Sequence, residues 1–219
     1  MRSIVIVYHK NIRKIYKDEW IEQAMDSIYD QTYQDWLVYE LNYGDDDERL
    51  FDGTFFSIEM ENHIEAMNFL ITKAFDDGAD VVFNTNLDDI SLPKRFEKQI
   101  AAIKRGYQLV SCNFTYFGEE DRLMNMTGCG DIGKNFRRGH NVICHPAVCY
   151  HSSFWDEKYN ESLVGYEDFD LWKRQYTKRK RFLILDDYLL LYRIHSGQIT
   201  KKFDKHGNEK CKPVDHRHQ

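Results

Sequence analysis

Short apolar runs alternate with amphipathic stretches along the first half of the chain. Residues 3–8 are mostly Ile and Val, as in a buried strand, and apolar residues at 21, 24, 25 and 28 then recur at helical spacing. The alternation returns with strands at 35–41 and 79–83 and with a helix that has apolar residues at 67, 70, 71 and 74. Three such units in succession predict an α/β fold: a single Rossmann-like domain with a mostly parallel central sheet flanked by helices.

The pattern changes in the second half of the chain. A helix beginning near Pro93 and a strand at 107–114 continue the alternation, but residues 115–145 are rich in Gly, Asn, Arg and Met with weak periodicity. We expect short strands or a mobile segment over the site there. Later elements are predicted as strands at 142–150, 182–185 and 188–194, a helical turn from 152, and a helix introduced by residues 165–168.

One strand ends abruptly in carboxylates. The run Val81-Val82-Phe83-Asn84-Thr85-Asn86-Leu87-Asp88-Asp89 begins like a buried strand and finishes with an acidic pair. Open α/β sheets bind ligands beyond the carboxyl ends of their strands, and carboxylates are suitable ligands for Mg²⁺ or Mn²⁺. The run therefore indicates a divalent-ion site, although Asp88 and Asp89 also suit a turn that leads into the next helix.

Composition and charge disfavour several classes of protein. The net charge of -6 argues against nucleic acid as the main partner, and the 15% aromatic content suits a protein that stacks on rings or sugars. The sequence has no signal-peptide pattern and no apolar stretch that would span a membrane, so we expect a cytoplasmic protein. The five cysteines include no Cys-x-x-Cys pair and are expected to be free thiols.

Several stretches resemble, in order, the motifs of glycosyltransferase family 2. Residues 27–35, Ser-Ile-Tyr-Asp-Gln-Thr-Tyr-Gln-Asp, are similar to the family's Ser-Ile-x-x-Gln-Thr-Tyr-x-Asp segment, and residues 66–68, Ala-Met-Asn, to its Ala-Arg-Asn helix. Residues 86–89 lie at the family's Asp-x-Asp-Asp metal motif. Residues 165–174 resemble its Glu-Asp motif, and residues 192–195, Tyr-Arg-Ile-His, resemble its late Tyr-Arg-x-His motif.

This resemblance implies a GT-A fold and a reaction. Members transfer a sugar, with inversion, from a nucleoside diphosphate sugar to a hydroxyl of a glycan or another acceptor. The resemblance divides residues 1–200 into a nucleotide-sugar-binding half (1–114) and an acceptor-binding half (115–200), followed by a polar tail (201–219) that we expect to be flexible. UDP is the expected nucleotide because it is common in such families.

Particular residues take roles by the same resemblance. Asp168 is the expected catalytic base, with Glu167 supporting the acceptor or the geometry of the site, and the start of a helix should keep Asp168 ionised. Asp88 and His195 are the expected ligands of Mn²⁺ or Mg²⁺, which would neutralise charge on the diphosphate. The expected nucleotide-sugar contacts are Tyr8, Asn42, Asn68, Asn86, Leu87 and Arg193.

The sequence departs from the family's pattern at three places. Asn42-Tyr43 stands where the family has an Asp pair, Met67 stands for an Arg, and Asn86 stands for an Asp. Each change removes charge from the expected donor pocket. We therefore expect an unusual donor preference or affinity, although Asn can still hydrogen-bond a base or a ribose.

Other interpretations stay open at the level of the sequence. Glu167 and Asp168 suit the first turn of any helix, His195 suits a structural position in a strand, and Trp172 suits the core. For the whole chain, the alternative is a catalytically weak nucleotide-sugar or glycan-binding module of the same fold. A sugar nucleotidyltransferase is less favoured, because no Gly-rich loop with Arg or Lys follows the first strand.

Overall fold

One sheet of nine strands runs through the described part of the protein. The structure is a computed structural model that describes residues 1–196 and residue 198; the tail predicted at 201–219 lies outside the described residues. The strands are β1 (Ser3–His9), β2 (Trp36–Asn42), β3 (Thr54–Ser57), β4 (Val81–Asn84), β5 (Ile90–Ser91), β6 (Leu109–Gly118), β7 (Arg122–Met124), β8 (Cys149–His151) and β9 (Phe182–Ile194). Their order is β3-β2-β1-β4-β8-β6-β9-β5, with β7 paired to β6.

Six of these nine strands run in one direction. β1 is parallel to β2 and to β4, and β3 is parallel to β2. β8 is antiparallel to both β4 and β6, so β6 and its parallel neighbour β9 point the same way as β4. The predicted α/β domain with a mostly parallel sheet is therefore confirmed.

Helices cover both faces of the sheet, because the residues of β1 are apolar on both sides. Ile4 and Ile6 pack with Leu70 of one helix, whereas Val5 and Val7 pack with apolar residues of two helices on the other face. All four β1 side chains are fully buried. The helices are α1 (Ile12–Ile15), α2 (Asp18–Tyr29), α3 (His63–Asp76), α4 (Arg95–Lys104), α5 (Ile132–Arg137) and α6 (Glu167–Thr177).

Three strands differ from the prediction. The strand expected at 142–150 shortens to β8, because residues 145–147 form a 3-10 turn containing Pro146, which has no N–H to donate to a strand partner. The two strands expected at 182–185 and 188–194 form one strand, β9, whose pairing with β6 has two register shifts that leave residues 186, 187 and 189 unpaired. β3 follows a loop after β2, and the sequence pattern does not predict it.

The Gly-rich segment at 115–145 is anchored in the core. It contains β7, which confirms the expected short strand, and α5. Met124, Met126 and Phe136 are buried, and the Phe136 ring packs edge-on against Phe169 of α6 with 5.6 Å between centroids. These three residues pack in the core although the sequence shows no regular pattern there, because the segment is too irregular for its apolar residues to repeat at fixed spacing. Mobility of this segment stays a prediction.

Three further sequence predictions concern the whole domain. The boundary expected at residue 114 falls inside β6, so the two halves share one sheet. Cys112, Cys144 and Cys149 are buried free thiols, as expected, whereas Cys211 lies outside the described residues. None of the described helices is long and apolar enough to cross a lipid bilayer.

Candidate active site

The carboxyl ends of β1, β2 and β4 meet at one edge of the sheet, and the turn after β4 carries the acidic pair. The Thr85 hydroxyl donates to the carbonyl oxygen of Ile6 at 2.9 Å and ties this turn to β1. Asp88 and Asp89 do lie in a turn, but only 7% and 4% of their surfaces are exposed. Ordinary turn carboxylates stay in water, so a turn role alone does not account for this burial.

Arg95, which the sequence does not single out, supports this turn. Its side chain is fully buried, and it donates to the Asn84 carbonyl oxygen at 2.6 Å and to the Ser91 hydroxyl at 2.8 Å. Burial lowers the pKa of this guanidinium, and Asp89 is among the groups that oppose the shift. Because these two bonds lie on either side of the acidic pair, Arg95 holds both ends of the turn.

The end of β9 completes this side of the site. Arg193 donates its backbone N–H to Asp89 Oδ1 at 2.9 Å and its Nε–H to the carbonyl oxygen of Asp88 at 2.8 Å. His195 Nε2 lies 3.2 Å from Asp88 Oδ2. The structure therefore brings Asp88, Arg193 and His195 together from positions more than one hundred residues apart.

Aromatic side chains fix the positions of Arg193 and His195. The Arg193 guanidinium lies 4.3 Å from the ring centroid of Phe117 and 4.9 Å from that of Trp20, and it donates to Gln23 Oε1 at 2.7 Å. The His195 ring lies 5.0 Å from Trp20. Burial lowers the pKa of Arg193, while the nearby carboxylates oppose this shift, so a held positive charge lies beside the acidic turn.

Two carboxylate oxygens of the acidic pair have no hydrogen-bond partner within the described part of the chain. They are Asp88 Oδ1 and Asp89 Oδ2, and both are buried. Burial and the charge of Asp88 raise the pKa of Asp89 well above its usual range. A divalent cation would give Asp88 Oδ1 a partner, so the chemistry of this carboxylate fits the predicted ion. No three or more His, Cys, Asp or Glu side chains converge as a metal site among residues 1–196 and 198, so other ligands would have to come from the donor or water.

Tyr8, at the end of β1, lies near two acidic groups at once. Burial raises the pKa of its hydroxyl, and the charges of Glu167, Asp88 and Asp89 add to the shift. Asn86 is half-buried, and its side chain forms no hydrogen bond to the residues that the structure describes. Leu87 lies in the core, with 3% of its surface exposed. Tyr8 and Asn86 are thus available to a ligand, whereas Leu87 can offer only main-chain atoms.

Asn42 and Asn68 hold loops, and their expected contact with the nucleotide sugar stays a prediction. The Asn42 amide donates to the carbonyl and carboxylate oxygens of Asp46, both at 2.7 Å, and accepts from the Gly44 N–H at 2.9 Å. The Asn68 amide donates to the Tyr159 carbonyl oxygen and accepts from its N–H, both at 3.0 Å. Their hydrogen-bonding capacity is used inside the protein, so they shape the site indirectly.

A buried Glu–His pair, which the sequence pattern does not reveal, holds the other end of the loop after β2. Glu40 Oε1 lies 2.9 Å from His9 Nε2 and accepts from the Leu50 N–H at 2.7 Å, while Oε2 accepts from the Phe51 N–H at 2.9 Å. Glu40 is fully buried. Asn42 lies two residues further along β2, so its side chain is on the same side of the strand as that of Glu40. Both side chains bond to the loop after β2 and fix it beside the carboxyl end of that strand.

Glu40→Gln is expected to lower the free energy of unfolding by about 1–3 kcal/mol, because one of the two backbone N–H donors would then face an amide N–H group. Chemical denaturation measures this change, and hydrogen exchange of residues 43–51 shows whether the loop loosens. Glu22→Gln, at an exposed position on α2, is the matched control. Equal unfolding free energies and equal exchange in both variants would contradict the anchoring role.

Glu167 and Asp168 begin α6 and have different partners. Glu167 Oε1 lies 3.2 Å from His63 Nε2, and its Oε2 accepts from the Gly165 N–H. Asp168 Oδ2 accepts from Asn141 Nδ2 at 2.9 Å, and its Oδ1 accepts from the Phe169 N–H at 2.6 Å. Both acids lie in the first turn of the helix, but His63 and Asn141 belong to distant segments. A helix-dipole role alone therefore does not describe them.

The two carboxyl groups have opposite pKa shifts. Burial raises the pKa of Glu167, but the hydrogen bond from His63 and the charge of His145 outweigh it, so the net shift is downward. Burial and the charge of Glu167 raise the pKa of Asp168 to about 7, against the hydrogen bonds from Phe169 and Asn141. The helix start therefore does not keep the pKa of Asp168 low, because burial and the like charge of Glu167 dominate. Trp172, further along α6, is fully buried in the core.

Comparisons with known proteins place this geometry in context. No family model matches the chain. An uncharacterized glycosyltransferase of Methanocaldococcus jannaschii is 30% identical over 115 residues, covering 49% of this chain and 39% of that protein. The O-antigen biosynthesis glycosyltransferase WbnJ of Escherichia coli is 25% identical over 226 residues, covering 92% of this chain and 82% of that protein.

Solved structures share the fold. TarS 1-349 of S. aureus in complex with UDP matches with a TM-score of 0.65 at 14% identity, over 89% of this chain and 61% of that chain. The mannosyltransferase PcManGT of Pyrobaculum calidifontis, in complex with GDP-Man and Mn2+, matches with a TM-score of 0.63 at 15% identity, over 89% and 57% of the two chains. At these identities the likeness shows the fold alone. The chain spans less than two thirds of both solved chains.

The chain is similar to glycosyltransferases in sequence and in fold. These relatives confirm the predicted enzyme class. Membership of family 2, the inverting course, the donor nucleotide, the divalent ion and the roles of the site residues stay predictions.

Proposed function

We propose that the chain is a metal-dependent inverting glycosyltransferase of family 2. It moves a sugar from a nucleoside diphosphate donor, with UDP as the expected nucleotide, to a hydroxyl of a glycan or another acceptor. The supporting observation is the meeting of two acidic groups near Tyr8: the acidic pair after β4, with its two unpartnered oxygens, and the acids that begin α6. The neighbours bound to UDP and to GDP-Man with Mn2+ support this class of donor.

The donor side depends on the turn after β4. Asp88 and His195 would hold Mn²⁺ or Mg²⁺. Bound there, the ion would neutralise the charge that develops on the diphosphate. Arg193 adds a fixed positive charge at the same place, and Arg95 holds the turn from the side of β4. The Tyr8 hydroxyl and the Asn86 amide are the protein groups open to the nucleotide sugar.

Asp168 would take the proton from the acceptor hydroxyl. Its pKa of about 7 means that it is partly ionised at neutral pH and close to the value best suited to a general base. The acceptor oxygen bonds to the anomeric carbon, the bond from that carbon to the diphosphate breaks with its electron pair, and the hydroxyl proton passes to Asp168. One displacement of this kind inverts the anomeric centre. Glu167 is less suited, because the hydrogen bond from His63 and the charge of His145 lower its pKa, whereas the pKa of Asp168 is raised.

The test is incubation with a panel of nucleotide sugars, a mixture of glycan acceptors and Mn²⁺ or Mg²⁺. Release of nucleoside diphosphate together with a glycoside of inverted configuration, read by NMR, is the expected result. Tight nucleotide-sugar binding without release would instead indicate the binding module. Release of pyrophosphate from a nucleoside triphosphate and a sugar phosphate would indicate a nucleotidyltransferase.

Glu167→Gln is expected to move the acidic limb of the pH–rate profile to lower pH, by about one unit. The charge of Glu167 raises the pKa of Asp168, so removing that charge lowers the pKa, and the base stays ionised further into acid. Measurement of kcat/KM from pH 5 to pH 9 gives the limb directly. Because the base itself is kept, activity at pH 8 should fall far less than on loss of Asp168.

Asp170→Asn is the matched control for this shift. Asp170 also lies in the first turn of α6, but it is paired with Arg174 at 2.8 Å, which compensates its charge. Its removal should leave the limb in place. An acidic limb that does not move in Glu167→Gln would contradict the influence of Glu167 on the pKa of Asp168. Loss of nearly all activity at every pH in this variant would favour Glu167 as the base.

A further inference from the structure

An open groove lies along the outer face of α6, next to the proposed base. Its volume is about 400 Å³, and it begins at Tyr166, immediately before Glu167. α5 borders it, because Phe136 packs against Phe169 in the groove wall. The lining residues are Tyr166, Phe169, Asp170, Lys173, Arg174 and Thr177. The groove therefore begins at the end of α6 that carries the two acids and continues along the outer face of the helix.

Three cations on this side have no carboxylate partner in the described part of the chain. Arg137 and Arg138 are exposed at the end of α5, and Lys173 is exposed in the groove with its ammonium group 5.5 Å from the Phe169 ring centroid. Arg174 differs, because it is paired with Asp170 and Glu157. The uncompensated charge is notable in a chain whose net charge is -6.

The two arginines lie near Asn141, a residue that contacts the proposed base. Asn141, which donates to Asp168 Oδ2 at 2.9 Å, follows Arg138 after only two residues. Gly139 has a φ of +80° and turns the chain from the end of α5 toward Asn141. Three residues span about 10 Å at most, so the arginine backbone lies within that distance of a residue that contacts the base.

We infer that the acceptor is an anionic glycan bound along this groove. Its sugar rings pack on Tyr166 and Phe169, and its carboxylate or phosphate groups are bound by Arg137, Arg138 and Lys173. Arginine suits this task because its planar fork binds both kinds of anion. The inference rests on the proposed function and names the chemical class of its acceptor.

Binding of paired oligosaccharides tests this inference without turnover. One pair is oligogalacturonate and its methyl ester, and the other is a phosphorylated oligomannose and its dephosphorylated form. Each pair shares a backbone and differs in charge. The charged member of at least one pair should bind at least about tenfold more tightly at low salt, and added salt should reduce the difference. The two pairs separate carboxylate from phosphate as the recognised group.

The variant to test is the triple change Arg137→Gln, Arg138→Gln and Lys173→Gln. It should remove the preference for the charged member and leave UDP binding in Mn²⁺ unchanged. Lys104→Gln, at an exposed position on α4, is the control and should keep the preference. Circular dichroism and thermal unfolding check that the triple variant folds.

Equal binding of the charged and neutral members in both pairs, including no binding of any of them, would overturn the inference. So would an unchanged preference in the triple variant. These results differ from failure of the proposed function, which would appear as no nucleoside diphosphate release with any donor. An enzyme that releases nucleoside diphosphate and prefers neutral acceptors would keep the function and reject only the anionic acceptor.

Discussion

Asp168→Asn is expected to lower kcat by about two to four orders of magnitude, while UDP binding changes little. The change keeps the shape of the side chain and removes its ability to take a proton. Asp168 lies at the start of α6, where Asn141 orients it and where burial and Glu167 raise its pKa to about 7. Steady-state kinetics with saturating donor and acceptor measure kcat, and calorimetry measures nucleotide affinity.

The competing interpretation of Asp168 gives a different result. If it only complements the helix dipole, Asp168→Asn should cost roughly 0.3–1 kcal/mol of stability and leave turnover nearly intact. Asp170→Asn, in the same helical turn, controls for the loss of one acidic charge there. A purified Asp168→Asn protein that transfers sugar at the parental rate would reject this residue as the base and direct attention to Glu167.

Asp88→Ala is expected to abolish the ion-dependent part of UDP binding. The parent protein should bind UDP more tightly with Mn²⁺ than without it, because Asp88 Oδ1 is buried, unpartnered among the described residues and positioned to take a cation. In Asp88→Ala the two affinities should become equal. Titration calorimetry of UDP, with and without Mn²⁺, gives this difference without any need for turnover.

Asp121→Ala is the control for this experiment, because Asp121 is exposed and lies between β6 and β7. It should keep the full effect of Mn²⁺. Near-ultraviolet circular dichroism should show an intact fold in both variants, since within residues 1–196 and 198 the Asp88 side chain bonds only to His195. Equal UDP affinity with and without Mn²⁺ in the parent protein would reject the ion site itself.

The departures from the family's pattern take on a physical meaning in the structure. Asn42 stands where the family has an acidic residue, and its amide is consumed by the loop that follows β2. Tyr43, the next residue, is half-buried, with Lys10 lying 5.7 Å from its ring centroid. The loop after β2 is thus held by internal bonds from Asn42 and Glu40, and the expected contact of Asn42 with the nucleotide sugar stays a prediction.

Local patterns determined the first half of the fold. β1, β2, β4, α2 and α3 follow from apolar periodicity, because each of these elements buries a face whose residues recur at fixed spacing. The position of Asp88 and Asp89 at a strand end follows in the same way, since a run of buried residues has to stop where the carboxylates begin. The same reasoning failed for β8, where Pro146 interrupts the apolar run.

Tertiary structure alone decided which side chains meet. Spacing along the chain does not show that Arg193 would bond to Asp89, or that Arg95 and Glu40 would be buried as anchors, because partners in these pairs come from separate elements. The protonation state of Asp168 is also decided by the tertiary structure. Its sequence position suggests an ionised acid, but its pKa depends on burial and on the distance to Glu167, and folding sets both.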